Sequence, residues 1–290
     1  MQTAPQHRAQ VFGSPWPGVY GTHIDSARHF ERHWHAVYGL GLVEAGAQRS
    51  ASGRGPVAAY AGDIISSNPG EVHDGQPLGS ASRRWRMVYL EPALMASMGA
   101  NPRDAETAGV ELVRPVFQDP TLRLALAQLL TRLQRWDAGL HSCTADALAC
   151  EEALVAVFAP LHRQYTKAPA HLTQPVDTPC TAGPELQRLR EQLADDPLAP
   201  PTLSEMAVAA GLSKFQLLRR FERAYGLTPF AWVLQQRAER ARQRICAGSN
   251  LADAAADSGF ADQSHMTRIF SRQFGFTPGA LRKGTVNAWR

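Results

Sequence analysis

Cysteine is scarce. The four in 290 residues, Cys143, Cys150, Cys180 and Cys246, show no C-x-x-C spacing and have no histidine at zinc-finger distance. That excludes a disulfide framework and a structural zinc module, and it fits a reducing compartment. Lysine is scarcer still: of 30 basic residues only Lys167, Lys214 and Lys283 are lysines, leaving 27 arginines. Arginine is the planar donor that suits phosphates and guanine edges, but a GC-rich genome yields the same bias, so arginine content alone names no partner. No stretch approaches the roughly 18 apolar residues of a membrane span, and Met1 to Ser14 lack the apolar core of a secretion signal. A soluble, cytoplasmic protein without a membrane partner is expected. G-x-x-x-x-G-K-[ST] and G-x-S-x-G are also missing, which removes the phosphate-cradling loop and the hydrolase nucleophile elbow.

What is present divides into two parts. The net charge of +4 conceals an asymmetry: residues 1–180 carry 15 basic and 16 acidic side chains, residues 181–290 carry 15 and 10. The change falls where Pro169, Pro175, Pro179 and Pro184 punctuate a stretch of small polar residues, so 166–183 is expected to be a linker that couples the two sides by tethering. Before it, short β-branched and aromatic runs such as Val37 to Val43, Gly62 to Ser66 and Trp85 to Leu90 predict antiparallel strands over about 20–92. Helical periods follow over about 120–165. One stripe holds Leu122, Leu126, Leu129, Leu130 and Leu133, a second Leu148, Glu152, Val155, Phe158 and Ala159. Such helices either cover the barrel or form a dimer interface. The expected fold class is therefore α+β in two domains: a β-barrel with helices in 1–165 and an all-α domain in 184–290.

The second domain contains a repeat. Leu203, Ala207 and Gly211 align with Leu251, Ala255 and Gly259; Phe221, Arg223, Gly226 and Thr228-Pro229 align with Phe270, Arg272, Gly275 and Thr277-Pro278. Each unit is a short Ala-rich helix, a glycine turn and an amphipathic helix, the helix-turn-helix plan, at 203–225 and 251–274. Thr202 with Glu205 and Ser213 with Gln216 have capping-box spacing. With Leu217, Phe221, Met266, Ile269 and Phe270 inward, the faces left outward carry Ser213, Lys214, Phe215, Gln216, Leu218 and Arg219 in one unit and Gln263, Ser264, His265 and Arg268 in the other. A joining helix of roughly 20 residues spans about 30 Å, close to the ~34 Å between successive major-groove faces of B-DNA. Its Arg237, Arg240, Arg242 and Arg244 are expected to present a basic surface to phosphates. The repeat, with Gly259-Phe260, Ser264-His265, Arg268, Phe270, Gly275 and Thr277-Pro278, resembles the DNA-binding domain of the AraC/XylS family of bacterial transcription regulators. The resemblance implies seven helices, promoter DNA as partner, and recruitment of or assistance to RNA polymerase by a homodimer. Leu218 departs from it, standing where many members carry a polar base reader.

In the first domain His33 and His35, two apart, face one side of a strand, and Gly62, Gly70 and His73 follow at a spacing that resembles the second cupin motif. Glu44 lies nine residues beyond His35 instead of four or five, so a complete three-His-one-Glu metal site is not expected. Three readings stay open: an effector pocket lined by His33, His35, Glu71, His73 and Trp85; a divalent metal held by His33, His35 and His73; or histidines satisfied by hydrogen bonds in a packed barrel. Histidine charge that is tunable near neutral pH points to a carboxylate or amino-acid effector. A cupin-like sensor before an AraC-type domain implies a non-enzymatic regulator, in the main an activator, whose promoter binding answers to a small molecule. The alternative is a cupin metal-binding protein or metalloenzyme with an accessory DNA-binding domain.

Overall fold

The computed structural model describes residues 7–52, 54–99, 110–139, 144–167 and 183–286. The β-rich part holds strands β1 (His7–Phe12), β2 (Val19–Ser26), β3 (Phe30–His33), β4 (Tyr38–Ala45), β5 (Ala47–Ser52), β6 (Gly55–Tyr60), β7 (Ile64–Ser67), β8 (His73–Pro77) and β9 (Arg83–Leu90). Helix α1 (Pro92–Gly99), strands β10 (Glu111–Leu112) and β11 (Val116–Phe117), helices α2 (Pro120–Asp137) and α3 (Thr144–Tyr165), and strand β12 (Thr166–Lys167) follow. A six-stranded sheet, β1-β2-β9-β4-β7-β11, faces a four-stranded one, β3-β8-β5-β6; β10 and β12 form a separate ribbon. Strand β1 precedes the start expected at about residue 20. Its sequence lacks apolar alternation because it is an edge strand, and it pairs along its whole length with β2, from His7 opposite Ser26 to Phe12 opposite Gly21. At the other end, Thr166 and Lys167 are strand, paired with Leu112 and Glu111, where linker was expected.

Strand β9 shows why this sheet is apolar on both faces. Val88 and Leu90 pack outward under α2 and α3. Trp85, Met87 and Tyr89 point inward, between the sheets. Across from them Gly41 is obligatory, because a Cβ there would stand 2.3 Å from the backbone carbonyl oxygen of Arg86, which cannot move aside. The leucine stripe of α2 is the cover of the barrel, with Leu122, Leu126, Leu129, Leu130 and Leu133 fully buried. The stripe expected on α3 is corrected: Cys150, Ala153, Leu154, Val157, Phe158 and Leu161 are buried, whereas Leu148, Glu152 and Val155 face outward. Glu152 and Phe158 cannot share an inward face, since six residues place them about 240° apart on a helix.

The C-terminal part is helical: α4 (Pro184–Asp195), α5 (Leu203–Ala209), α6 (Lys214–Tyr225), α7 (Pro229–Cys246), α8 (Leu251–Asp257), α9 (Gln263–Phe274) and α10 (Pro278–Val286). Both capping boxes form, and Gly226 and Gly275 end α6 and α9 in the left-handed conformation at φ 75° and 76°. The linker stretch from 168 to 182 lies outside the described residues.

The two parts do not meet only through a tether, as the proline-rich stretch led one to expect. They share a buried core in which Ile24, Phe30 and Tyr89 of the barrel pack with Ile245, Phe270 and Phe276. Trp34 packs against Trp232 with ring centroids 5.8 Å apart, and Gln235 holds its backbone: Gln235 Nε2 donates to Trp34 O (2.8 Å) and Trp34 N donates to Gln235 Oε1 (3.4 Å). Arg242, 1% exposed, bridges Glu239 of its own helix (2.6 Å) and Glu91 beside the barrel (2.8 Å). His7 Nε2 donates to the carbonyl of Gly275 (2.8 Å). Tethering cannot be inferred from linker composition when the faces beyond it are apolar.

Candidate functional site

Two regions carry the residues singled out above. On the helical part, Ser213, Lys214, Phe215, Gln216, Arg219, Gln263, Ser264 and Arg268 are all exposed, at or near the N-terminal ends of α6 and α9. Leu218 is half-buried, and His265 is half-buried with its ring edge-on to Phe260 at 5.4 Å. Ser213 and Gln216 are partly engaged already: Ser213 Oγ accepts from Gln216 N, and Gln216 Oε1 accepts from Ser213 N. Arg219 lies over the ring of Phe215 at 5.4 Å, a cation–π contact that holds its guanidinium on the outward face. The opposite ends of the two helices abut the barrel. A Cβ on Gly226 would lie 3.0 Å from Val72 Cγ1, and one on Gly275 would lie 3.0 Å from the Phe30 ring. Each glycine thus serves a left-handed cap and a close approach at once.

The joining helix does not offer the expected phosphate-facing surface. Helix α7 has 18 residues and spans about 27 Å, and its middle is the beam on which both units pack. Arg242 is buried in the ion pairs above; Arg237 donates to the carbonyls of Pro197 and Gly259; Arg240 donates to that of Asp257. Arg244 is exposed and paired with Asp257 at 3.4 Å.

The second region is a cavity of about 120 Å³ between the two sheets. His33, His35, Glu71, His73 and Trp85 all line it. His33 and His73 are direct cross-strand partners on β3 and β8, which brings their ring centroids to 4.5 Å. His35 lies just past the end of β3, yet its ring is 5.0 Å from that of His33 and 5.3 Å from that of His73. One nitrogen from each falls within 4.8 Å of the others. The second ring nitrogens fix orientation: His33 Nδ1 donates to Glu31 O (2.7 Å) and His73 Nδ1 to Glu71 O (2.8 Å), which leaves both Nε2 lone pairs free, while His35 Nδ1 has no partner. Burial, and then the mutual repulsion of the imidazoles, pushes His33 down to about 3 and His35 well below its ordinary value; burial also lowers His73. All three are neutral at pH 7, the form in which imidazole ligates a metal.

Glu71 lines the cavity with its carboxylate engaged by Asn68 (3.0 Å) and Arg54 (3.4 Å). Glu44 takes no part, being paired with Arg86, Arg84 and His23. Two kinds of lining residue were not singled out from sequence. Arg83 shares the inward period of Trp85, Met87 and Tyr89, and that spacing was the available signal. Gln273 and Phe274, the last residues of α9, also wall the cavity. No local pattern announces a wall contributed by the other domain.

A barrel with an internal cavity, joined through a buried interface to paired helix-turn-helix units, defines a ligand-binding transcription regulator. Residues 17–157 match the AraC-like ligand binding domain and residues 206–284 the helix-turn-helix domain. The chain is similar to the Bacillus subtilis (strain 168) HTH-type transcriptional regulator YbfI, 28% identical over 239 residues, 82% of this chain and 81% of that one. It is also similar to the transcriptional activator NphR of Rhodococcus, 39% identical over 99 residues, 34% of this chain and 29% of that one. Among solved structures, ToxT of Vibrio cholerae O395 is similar at 10% identity and TM-score 0.46, over 97% of this chain and 98% of that one. The chain belongs to the AraC family of transcriptional regulators, with a ligand-binding and a DNA-binding domain. Among the described residues no helix is long and apolar enough to cross a membrane.

Proposed function

We propose that this regulator inserts the N-terminal ends of α6 and α9 into successive major grooves of promoter DNA, and that a small molecule in the barrel biases the placement of α9. The observation that carries this reading is that Gln273 and Phe274, at the inner end of α9, wall the cavity while Gln263, Ser264 and Arg268 face outward from the same helix. Whatever fills the cavity therefore presses on an element whose other end reads bases. Lys214, Arg219 and Arg268 supply charge to phosphates or guanine edges, while Ser213, Gln216, Gln263, Ser264 and His265 supply hydrogen bonds. Phe215 and Leu218 offer apolar contact to a thymine methyl. A homodimer and an activating contact with RNA polymerase complete the reading. The dimer is supported by exposed Leu124, Leu148 and Val155, which α2 and α3 turn away from the barrel. Activation is supported by the family resemblance alone.

The test uses a duplex selected by the full-length protein from a random-sequence library. Arg219→Ala and Arg268→Ala are each expected to weaken binding about tenfold, from the ~1–3 kcal/mol a base or phosphate contact contributes, with unchanged melting temperature. Unaltered affinity in both variants would remove these helices from the groove.

A bound divalent metal is favoured by one specific observation, the convergence of three neutral imidazoles with free lone pairs. The residues fit such an ion: His33, His35 and His73 would hold it, and the backbone carbonyls behind His33 and His73 keep the ligating tautomer. When bound, a first-row divalent ion supplies a Lewis-acidic centre for a ligand oxygen or nitrogen. The same trio keeps the metalloenzyme alternative in view, and recovery of the ligand unchanged after incubation separates a sensor from an enzyme.

A further inference from the structure

We infer that the barrel cavity is an anion site in which Arg83 binds the carboxylate of a small acid with an apolar or aromatic body; the inference rests on the sensor reading above and names the class of its ligand.

The largest fully buried side chains among the described residues are two arginines, Arg83 and Arg242. Their surroundings differ in kind. Arg242 has two carboxylates, Glu239 and Glu91, at 2.6 and 2.8 Å. Arg83, 2% exposed, has no carboxylate within 4.0 Å among the described residues. Asp74 and Glu71 line the same cavity, yet Asp74 accepts from the backbone of Ala51 and Glu71 is held by Arg54 and Asn68. A charge this deeply buried ordinarily has a paired opposite charge, because taking an unpaired ion out of water costs several kcal/mol. Among the described residues the acceptors are neutral only: Nε donates to Gln48 Oε1 (3.1 Å) and Nη1 to the carbonyl of Arg28 (3.0 Å), while Nη2 has no acceptor among them. The plane of the guanidinium is fixed by Trp85 (4.9 Å) and Phe30 (5.5 Å), whose faces it covers. Burial lowers its pKa only to about 10, so it remains cationic at neutral pH.

The fork therefore stands oriented, charged and one partner short, on the wall of a cavity. The remaining wall defines the rest of the ligand. Ile24, Val57, Ile65, Met87 and Phe274 contribute apolar surface, and a cavity of about 120 Å³ takes roughly ten water-sized groups. Gln273, from α9, brings a buried Oε1 that has no partner, suited to a donor on the far side of the ligand. The histidines do not supply the positive charge that the sequence suggested, since burial holds them neutral; Arg83 does.

Isothermal titration of the full-length, chelator-treated protein at pH 7.5 tests this with phenylacetate, 3-phenylpropionate and hexanoate, each against its own carboxamide. Chelation prevents a histidine-bound metal from supplying the preference. At least one acid is expected to bind at least tenfold more tightly than its amide. Arg83→Gln is expected to reduce that preference below threefold, and Arg83→Lys to retain part of it. Amides that match their acids, a preference that survives Arg83→Gln, or no binding by any acid would each overturn the site. Should Arg83→Gln fail to fold, the wild-type ratio and Arg83→Lys decide. Repeating the titrations with the selected duplex separates this inference from the reading beneath it. If an acid bound through Arg83 leaves duplex affinity unchanged, the sensor fails and the anion site stands. If an amide binds as well as its acid and shifts duplex affinity, the anion site fails and the sensor stands.

Discussion

At the residue scale the three histidines carry the sharpest consequence. An unfolded histidine titrates near 6.5, whereas His33 in the fold is pushed down to about 3 and His35 and His73 are also depressed. The folded chain therefore binds fewer protons than the unfolded one below pH 6.5. The stability they contribute is fully present above 6.5 and is lost as pH falls from there toward 3, by up to about 1.4 kcal/mol per pH unit for each excluded proton. The urea midpoint of chelated protein should drop between pH 7.5 and 5.0, and His33→Gln should drop less; a flat wild-type profile would contradict the assigned burial. Metal analysis of untagged protein addresses the same residues. About one equivalent is expected, falling below a tenth in His35→Ala, and less than a tenth in wild type would reject the metal. That these side chains meet was legible from i, i+2 spacing and a later histidine, although β3 ends at His33 and the convergence comes from cross-strand pairing. That Arg83 belongs with them was legible in principle, being two residues from Trp85.

At the element scale the two faces of α2 and α3 separate what a single stripe had merged. Leu126 is fully buried against the six-stranded sheet, so Leu126→Ala should cost about 2–5 kcal/mol in chemical denaturation. Leu124 and Val155, 58% and 54% exposed on the same helices, should barely affect monomer melting. Leu124→Glu with Val155→Glu is expected to shift the full-length protein from dimer to monomer in analytical ultracentrifugation, and an unshifted dimer would place the interface elsewhere. Helix-turn-helix units, caps and glycine stops were readable because each is a local pattern: Ser213 with Gln216, or Gly275 after Phe274, needs only its neighbours. The inward face of α3 was not, because Val155 and Leu154 are equally apolar and only the sheet beneath decides which is covered. The polar look of β1 hid it in the same way.

At the scale of the whole molecule the two domains meet in a buried contact, through which the proposed signal would travel. Arg242 joins the beam helix to Glu91 beside the barrel, and neither residue lines the cavity or belongs to the outward DNA face. Glu91→Gln removes one of its two carboxylates. The expected outcome is that acid binding and duplex binding both persist while the effect of one on the other shrinks, measured as the ratio of duplex affinities with and without ligand. An undiminished ratio would show that coupling does not pass through this contact. Composition had suggested independent domains on a proline-rich string; the apolar surface of Phe274, Phe276 and Ile245 that joins them is ordinary helix core when read from sequence.

The repeated units are alike in sequence and unlike in where they lean. Gly226 ends the first against Val72 and Arg32, while Gly275 ends the second against Phe30 in the cavity region, with Phe274 beside it on the wall. On the proposed reading, only one of the two helix-turn-helix units would then answer to the ligand. Promoters would be sorted by the quality of a single half-site: a strong match under α9 binds with or without the acid, and a weak one waits for it. A graded set of promoters could thus be ranked by one metabolite without any change in the protein.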